Sequence, residues 1–417
     1  MKTLKHLAGG VLALALANAA AADPIVIHIA GSNGDRATTN TAIPKLLGGT
    51  PVFAGTNSTP TSANFGTWTG GTYGGVPVTI KVAFIGATGG IAAVAGSQTI
   101  HFLPDGATGG SNPDPTTAPS FDAAVPDFTL STNFQSTSPF SGVYQGHTYD
   151  TLTDNIVAVV ALKWIASKNY PVADKNLTTQ EAQLLFSTGR VPLALFTGNP
   201  ADQNKIAFST GRNTDAGQRY VAFSESGLGV NAVVKQYKPV IVGSGSGVGG
   251  YVVGGTVTSQ ALWPVETFSG QSSLFPGNSG ATTGANLAPY LTTVLGSNAY
   301  TLTGTDGVAQ LPDATEGYYI SYLTPGDADS IAIPNGAVEL KWNGVPYSVQ
   351  AIQEGLYTFW TYEHILYKPD LAGTARDFAD ALVTQITDVD ATVAGIKLNT
   401  MHVSRLGEGT QVTPNYF

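Results

Sequence analysis

The chain contains no cysteine and little charge. Without cysteine among its 417 residues it has no disulfide, thiolate metal ligand, cysteine nucleophile or lipidated N-terminal cysteine. Charged residues make up only 11%, so long helices with charged outer faces are not expected. The formal net charge of −9 argues against nucleic acid or anionic lipid as a partner. Any bound anion must therefore be held by local groups.

Long hydrophobic runs are also missing. The apolar run over 7–17 is shorter than the roughly 20 residues that span a bilayer, so we expect no direct membrane insertion. Two lysines precede this run, and Ala20-Ala21-Ala22 follows it with an A-x-A pattern. The pattern predicts a cleavable signal peptide over 1–22, a mature chain from Asp23, and a periplasmic or secreted protein.

Motifs of common enzyme classes are absent from the sequence. No two histidines lie within one helical turn, and neither H-E-x-x-H nor G-x-S-x-G occurs, so a local metal site or serine hydrolase elbow is not predicted. Glu363 beside His364 is better interpreted as a structural pair at a strand end than as a catalytic pair. We therefore predict no enzyme and no cofactor.

One glycine-rich stretch matches the G-x-G-x-x-G pattern of dinucleotide-binding folds. Gly245, Gly247 and Gly250 follow an apolar run over 239–242. The residues over 251–257 are rich in glycine and β-branched side chains, which is a poor opening for a helix. The context favours a loop near a cleft over a dinucleotide site.

The residues that are abundant favour an α/β protein with many turns. Hydrophobic residues make up 42%, and 50 glycines and 24 prolines interrupt them. A strand followed by a polar turn and a helix is predicted three times, with turns at 32–36, 86–90 and 211–219. Such turns present free N–H groups and the positive end of a helix, which suits a small oxyanion. Arg212 adds a charge, although an ordinary turn with Arg212 paired to Asp215 explains the same residues.

Other elements are predicted from local patterns. A very apolar strand over 156–164 marks a crossing to a second lobe, and Thr178 with Glu181 forms a capping box for a helix that ends at Gly189. The remaining expected features are a surface loop over 104–119, strands over 317–323 and 355–364, a helix over 371–386 and a polar tail from Val403.

Five stretches occur in a characteristic order: Ala30-Gly31-Ser32, 86–90, Asp127-Phe128, 212–219 and 317–322. Together they resemble the phosphate-binding-protein-like family of exported solute-binding proteins. The resemblance implies an α/β, two-lobed type II periplasmic-binding-protein-like fold with an interlobe cleft. We expect lobe 1 to comprise 23–155 and 325–417, and lobe 2 to comprise 156–324.

The resemblance also implies a function and a site. It implies a solute-binding protein for phosphate or a related oxyanion, with a membrane component of an ABC transporter as its partner. Carried over position by position, the ligand-binding residues are Asn33, Thr88, Thr132, Arg212, Gly217 and Gln218. Arg212 is expected to supply the only full positive charge inside the cleft.

Several hydroxyl and carboxylate groups of the family pattern are replaced in this chain. Its serines fall on Ala87 and Ala216, and its aspartate falls on Thr132. Each lost charge-assisted bond weakens anion binding by about 1.5–3 kcal/mol, so we expect weak binding. Threonine in place of the aspartate predicts poor discrimination between phosphate and sulfate. Asp35 is expected to add unfavourable negative charge to the mouth unless Arg36 neutralises it.

A second function remains open. A non-binding structural or interaction protein on the same scaffold is compatible with the degraded site and the low charge, since a shared fold does not determine function. Titration with phosphate, sulfate and a phosphate ester distinguishes the two.

Overall fold

The computed structural model describes residues 23–108, 121–242, 253–254, 256–265, 277–295, 302–303 and 316–415. The predicted signal peptide and the G-x-G-x-x-G stretch lie outside the described residues, as does most of the predicted loop over 104–119. No helix in the described part of the chain is long and apolar enough to cross a membrane.

Strands make up most of the described structure. In the first half of the chain they are β1 (Ile25–Gly31), β2 (Gly48–Gly55), β3 (Phe65–Tyr73), β4 (Val76–Ala83), β5 (Ile100–Phe102), β6 (Asp122–Ala124), β7 (Phe128–Ser131), β8 (Gly142–Tyr144), β9 (His147–Tyr149), β10 (Thr153–Ala161) and β11 (Lys163–Ala166). In the second half they are β12 (Asn176–Leu177), β13 (Arg190–Pro192), β14 (Lys205–Ser209), β15 (Tyr237–Val242), β16 (Thr256–Leu262), β17 (Leu302–Thr303), β18 (Glu316–Leu323), β19 (Val338–Trp342), β20 (Trp360–Tyr367), β21 (Val403–Ser404) and β22 (Thr413–Pro414).

The helices are short and follow the strands. They are α1 (Arg36–Leu46), α2 (Ala87–Ala95), α3 (Thr179–Thr188), α4 (Ala194–Thr197), α5 (Gly217–Glu225), α6 (Gly284–Leu291), α7 (Pro325–Asp327), α8 (Val349–Gln353) and α9 (Gly373–Gln385). Helix α3 begins with the predicted capping box, in which the Thr178 hydroxyl and the Glu181 carboxylate satisfy each other's backbone N–H groups. It ends at Gly189 in the left-handed conformation, as predicted.

Two mixed sheets organise the molecule and confirm the α/β fold class. The first sheet has the order β10-β20-β7-β1-β4-β3-β2, and its central strands β7, β1 and β4 are parallel. The second sheet has the order β12-β19-β11-β18-β14-β13, with β14 parallel to β18. Because the carboxyl ends of parallel strands meet at one edge, the turns after them are brought together.

The chain passes between the sheets later than the sequence suggested. Strand β10 stays in the first sheet to Ala161 and β11 starts the second at Lys163, so the outward crossing lies at Leu162 rather than near 155. The return lies between β19 and β20, after Trp342, rather than near 324. The apolar run over 156–164 is continuous, and only strand pairing shows where it divides. The lobe boundaries themselves remain a proposal.

The first sheet has a hydrophobic core on one side, whereas the core of the second sheet also includes Val159 and Tyr362 of the first. In the first, α9 buries Phe378, Leu382 and the following Ile386 against β1 and β4, as its predicted apolar face requires. In the second, the Trp164 ring stacks on Phe359 with centroids 4.5 Å apart. The aromatic residues over 355–364 are therefore core residues, as predicted, although strand β20 begins only at Trp360.

The C-terminal segment is not the polar tail that was predicted. Strands β21 and β22 pair, and Val403, Arg405 and Glu408 are at most 8% exposed. The local composition is polar and therefore indicated a tail. The burial of its charged residues depends on partners that lie far away in the chain, which a local pattern does not reveal.

Candidate functional site

Four turns meet where the two sheets face each other. They follow β1, β4, β7 and β14, and three of them lead into α1, α2 and α5. Open α/β sheets place ligand-binding groups at such strand ends.

A cleft of about 750 Å³ opens beside these turns. Three of the predicted site residues, Asn33, Arg212 and Gln218, line it. The other three, Thr88, Thr132 and Gly217, do not line it and pack together behind it. Half of the predicted site residues thus line the open cleft, and the other half are buried behind it.

The N-terminus of α2 is occupied by the chain's own backbone. The N–H groups of Thr88 and Gly89 donate to the carbonyl oxygen of Asp215, at 2.9 and 3.3 Å. The Thr88 hydroxyl lies 3.3 Å from Asn133 Oδ1, and Thr88 is fully buried. An oxyanion at this helix end would have to displace the Asp215 carbonyl.

Gly217 and Thr132 lie in close contact. A Cβ atom on Gly217 would lie 2.5 Å from Asn133 Oδ1 and 2.7 Å from Thr132 Oγ1, so only glycine allows this approach. The Thr132 hydroxyl is 3.4 Å from the Ser32 hydroxyl and fully buried. The turns after β1, β7 and β14 are thereby joined.

Arg212 lines the cleft but is only 2% exposed. Its Nε and Nη2 donate to the carbonyl oxygens of Ala281 and Thr282, at 3.0 and 2.9 Å. Its Nη1 donates to Gln218 Oε1 at 2.8 Å. These bonds hold the guanidinium at the cleft wall, with Gln218 as the group that orients it.

Arg36 is a second cation in the cleft; the sequence analysis considered it only as a group that neutralises Asp35, not as a ligand-binding residue. Its Nε donates to the Thr61 carbonyl at 3.0 Å and its Nη1 to Asn64 Oδ1, which also accepts from Asn33 Nδ2 at 3.1 Å. Arg212 is therefore not the only full positive charge there. The signal was present, because Arg36 starts α1 at the same kind of turn that identified Arg212.

Asp327 contributes a carboxylate to the cleft and was likewise not predicted. Its Oδ2 accepts from the Thr324 hydroxyl at 3.2 Å, and a Cβ on Gly284, at the start of α6, would lie 2.0 Å from that oxygen. Burial raises the pKa of Asp327, while the guanidinium groups of Arg212 and Arg36 act to lower it. Among the described residues that line the cleft, the charged groups are thus two guanidiniums and one carboxylate.

Asp35 does not lie at the mouth, contrary to expectation. It is fully buried, and neither carboxylate oxygen has a hydrogen-bond partner among the described residues. Burial raises its pKa well above the ordinary value, and the carboxylate of Glu363 raises it further. Burial therefore favours the uncharged form of this carboxyl group, which does not repel an anion in the cleft.

The described residues contain no group of three or more histidine, aspartate or glutamate side chains that could hold a metal ion. Buried His364 instead places its Nδ1 2.7 Å from Asp154 Oδ1.

Comparisons with known proteins give likeness in structure only. No known family profile and no curated protein matches the sequence. Among solved structures, the chain is similar to a candidate phosphate ABC transporter substrate-binding protein with bound phosphate from Clostridium perfringens, at 12% identity and a TM-score of 0.45, covering 89% of this chain and 99% of that one.

Two further structures show the same range of similarity. An ABC-type phosphate transport receptor from Vibrio cholerae is 13% identical, with a TM-score of 0.44 over 88% of this chain and 96% of that one. PstS from Borrelia burgdorferi is 10% identical, with a TM-score of 0.38 over 89% of this chain and 99% of that one. At such identities the ligands of these proteins do not transfer to this chain.

Proposed function

We propose that this protein is an exported solute-binding protein that holds a solute with an oxyanion group in the cleft between its two sheets. The observation that carries the proposal is the cleft of about 750 Å³, which is lined by both Arg36 and Arg212. In a chain of net charge −9, two guanidiniums facing one carboxylate make a locally cationic site. Delivery to the membrane component of an ABC transporter is part of the proposal and rests on the family resemblance.

The two guanidiniums have different roles in this proposal. Three donors of Arg212 are held by oxygens of the protein, so this residue supplies charge from a fixed position. Arg36 is half-buried, and its Nη2 makes no hydrogen bond within the described part of the chain. Arg36 is therefore the group that donates directly to the solute.

A second candidate function is favoured by a different observation. The N–H groups of Thr88 and Gly89 are already bonded to the Asp215 carbonyl. A protein that binds no ligand would need such bonds, because they satisfy the free donors of that helix end. In that case the protein is a structural or interaction protein on the same scaffold.

Thermal unfolding of the chain from Asp23 distinguishes the two candidates. Phosphate or sulfate at millimolar concentration should raise the unfolding midpoint of the wild type, because a ligand that binds only the folded state stabilises it. Arg212→Met should weaken affinity about 100-fold, or about 3 kcal/mol, since the fixed charge is lost.

The controls separate ligand binding from stability. Arg36→Gln should abolish the rise with little effect on the ligand-free midpoint. Arg376→Gln removes a half-buried arginine that pairs with Asp380 on α9 and does not line the cleft, and should leave the rise intact. If neither phosphate, sulfate nor a phosphate ester raises the wild-type midpoint, the second candidate function, a structural or interaction protein, is favoured.

A further inference from the structure

The cleft is much larger than an inorganic oxyanion requires. Cavities of about 300–1,000 Å³ hold organic ligands of considerable size, and this one measures about 750 Å³. The helix end that would hold a bare oxyanion by backbone donors is filled by the Asp215 carbonyl. Arg36 and Asp327, in contrast, both line the open cleft.

Asp327 is an acceptor in a site otherwise suited to an anion. Its Oδ2 accepts from Thr324, whereas Oδ1 makes no hydrogen bond to the described residues. A carboxylate only accepts hydrogen bonds when ionised, so it repels an inorganic anion and attracts a donor group. A solute that satisfies both Arg36 and Asp327 carries an anionic group and, at a distance from it, a donor.

The remaining lining decides which kind of donor fits. Among the described residues that line the cleft none is aromatic, so a nucleobase or another flat ring would have no stacking partner. The uncharged lining residues include the amide side chains of Asn33, Asn57 and Asn286. Amides both donate and accept, which suits hydroxyl groups.

On the basis of the proposed function, we infer that the solute is an aliphatic organic anion bearing hydroxyl groups, with its anionic group at Arg36 and a hydroxyl donating to Asp327. The fixed charge of Arg212 stabilises the anionic group, and Asp327 selects against a bare oxyanion. The site thus distinguishes a hydroxylated ester or acid from inorganic phosphate.

Calorimetric titration with glycerol 3-phosphate, inorganic phosphate and adenosine monophosphate tests the inference. The wild type should bind glycerol 3-phosphate at least about tenfold more tightly than either other compound. Asp327→Asn should weaken the binding of glycerol 3-phosphate at least about tenfold, because a charge-assisted hydrogen bond is lost. The same variant should leave inorganic phosphate unchanged or bind it more tightly, because a like charge is removed.

Asp329→Asn is the matched control. It removes an exposed carboxylate two residues away that pairs with Lys163, and it should leave both affinities unchanged. The inference is overturned, while the proposed function stands, if the wild type binds glycerol 3-phosphate and phosphate with equal affinity. It is also overturned if Asp327→Asn changes both affinities in the same direction. Absence of binding by every anion overturns both.

Discussion

At the scale of residues, Asp35 and Glu363 form an unusual buried pair. Both are fully buried, and none of their four carboxylate oxygens has a hydrogen-bond partner in the described structure. Burial raises the pKa of Glu363 to about 8 and that of Asp35 well above its ordinary value. Both groups therefore keep their protons in the folded protein at a pH where the unfolded chain has lost them.

The sign of the pH dependence follows directly. A raised pKa in the folded state contributes stability that is fully present below the unfolded pKa, near 4, and is lost as pH rises toward 8. As pH rises through that window, each proton that the folded state retains and the unfolded state releases lowers the free energy of unfolding by about 1.4 kcal/mol per pH unit. We predict that the urea midpoint falls between pH 5 and pH 8, and that Glu363→Gln makes the fall less steep.

The control for this prediction is an exposed carboxylate. Asp370→Asn should leave the pH dependence unchanged, because Asp370 lies at the surface. Equal slopes for wild type, Glu363→Gln and Asp35→Asn would show that the pair is ionised in the folded state and that its environment is not apolar.

At the scale of elements, the start of α5 is tightly packed against the turn after β7. Gly217 allows Thr132 and Asn133 to approach a backbone that a side chain would push away. The carbonyl of Asp215, two residues earlier, closes the start of α2. The first turn of α5 therefore holds the elements behind the cleft together.

Gly217→Ala should destabilise the protein by about 1–3 kcal/mol in urea unfolding, because its methyl group overlaps polar atoms that cannot all move. Gly326→Ala is the matched control, since a Cβ there has no neighbour within 4 Å, and it should be close to neutral. If the two variants are equally stable, the turns behind the cleft do not pack as described.

At the scale of the whole molecule, the segment from Val403 to Pro414 connects the two sheets. The Glu225 carboxylate at the end of α5 accepts from Arg405 Nη1 and, at 2.9 Å, from the Gly409 N–H. The Glu408 carboxylate accepts from the Thr361 hydroxyl at 2.6 Å and the Phe134 N–H at 3.2 Å. This segment thus joins helix α5 to strand β20 of the first sheet and to the turn after β7.

Glu408→Ala should lower the free energy of unfolding by about 3 kcal/mol or more, since it removes charge-assisted bonds and leaves the Phe134 N–H unpaired. Glu408→Gln, which retains an acceptor, should lose less. Glu354→Ala removes an exposed glutamate and should change stability by about 0.5 kcal/mol or less. A loss for Glu408→Ala no greater than for Glu354→Ala would mean that this segment does not fasten the sheets.

Much of the secondary structure follows from the sequence alone. The capping box of α3, the strand-turn-helix units at β1 and β4, and the buried face of α9 depend on residues within a few positions of one another. Such short-range patterns are set by backbone geometry and by the spacing of apolar side chains. Three of the site residues that the family resemblance implied, Asn33, Arg212 and Gln218, line the cleft.

Only the tertiary structure decided which polar groups remain free for a ligand. The backbone N–H of Thr88 bonds to Asp215, Asp35 is buried near Glu363, and Asp327 lines the same cleft as Arg36. These partners are distant in the chain, and a hydrogen bond or a burial cost depends on which atoms meet in space rather than on local pattern. The elements were thus determined locally, and the chemistry of the cleft was determined by how they pack.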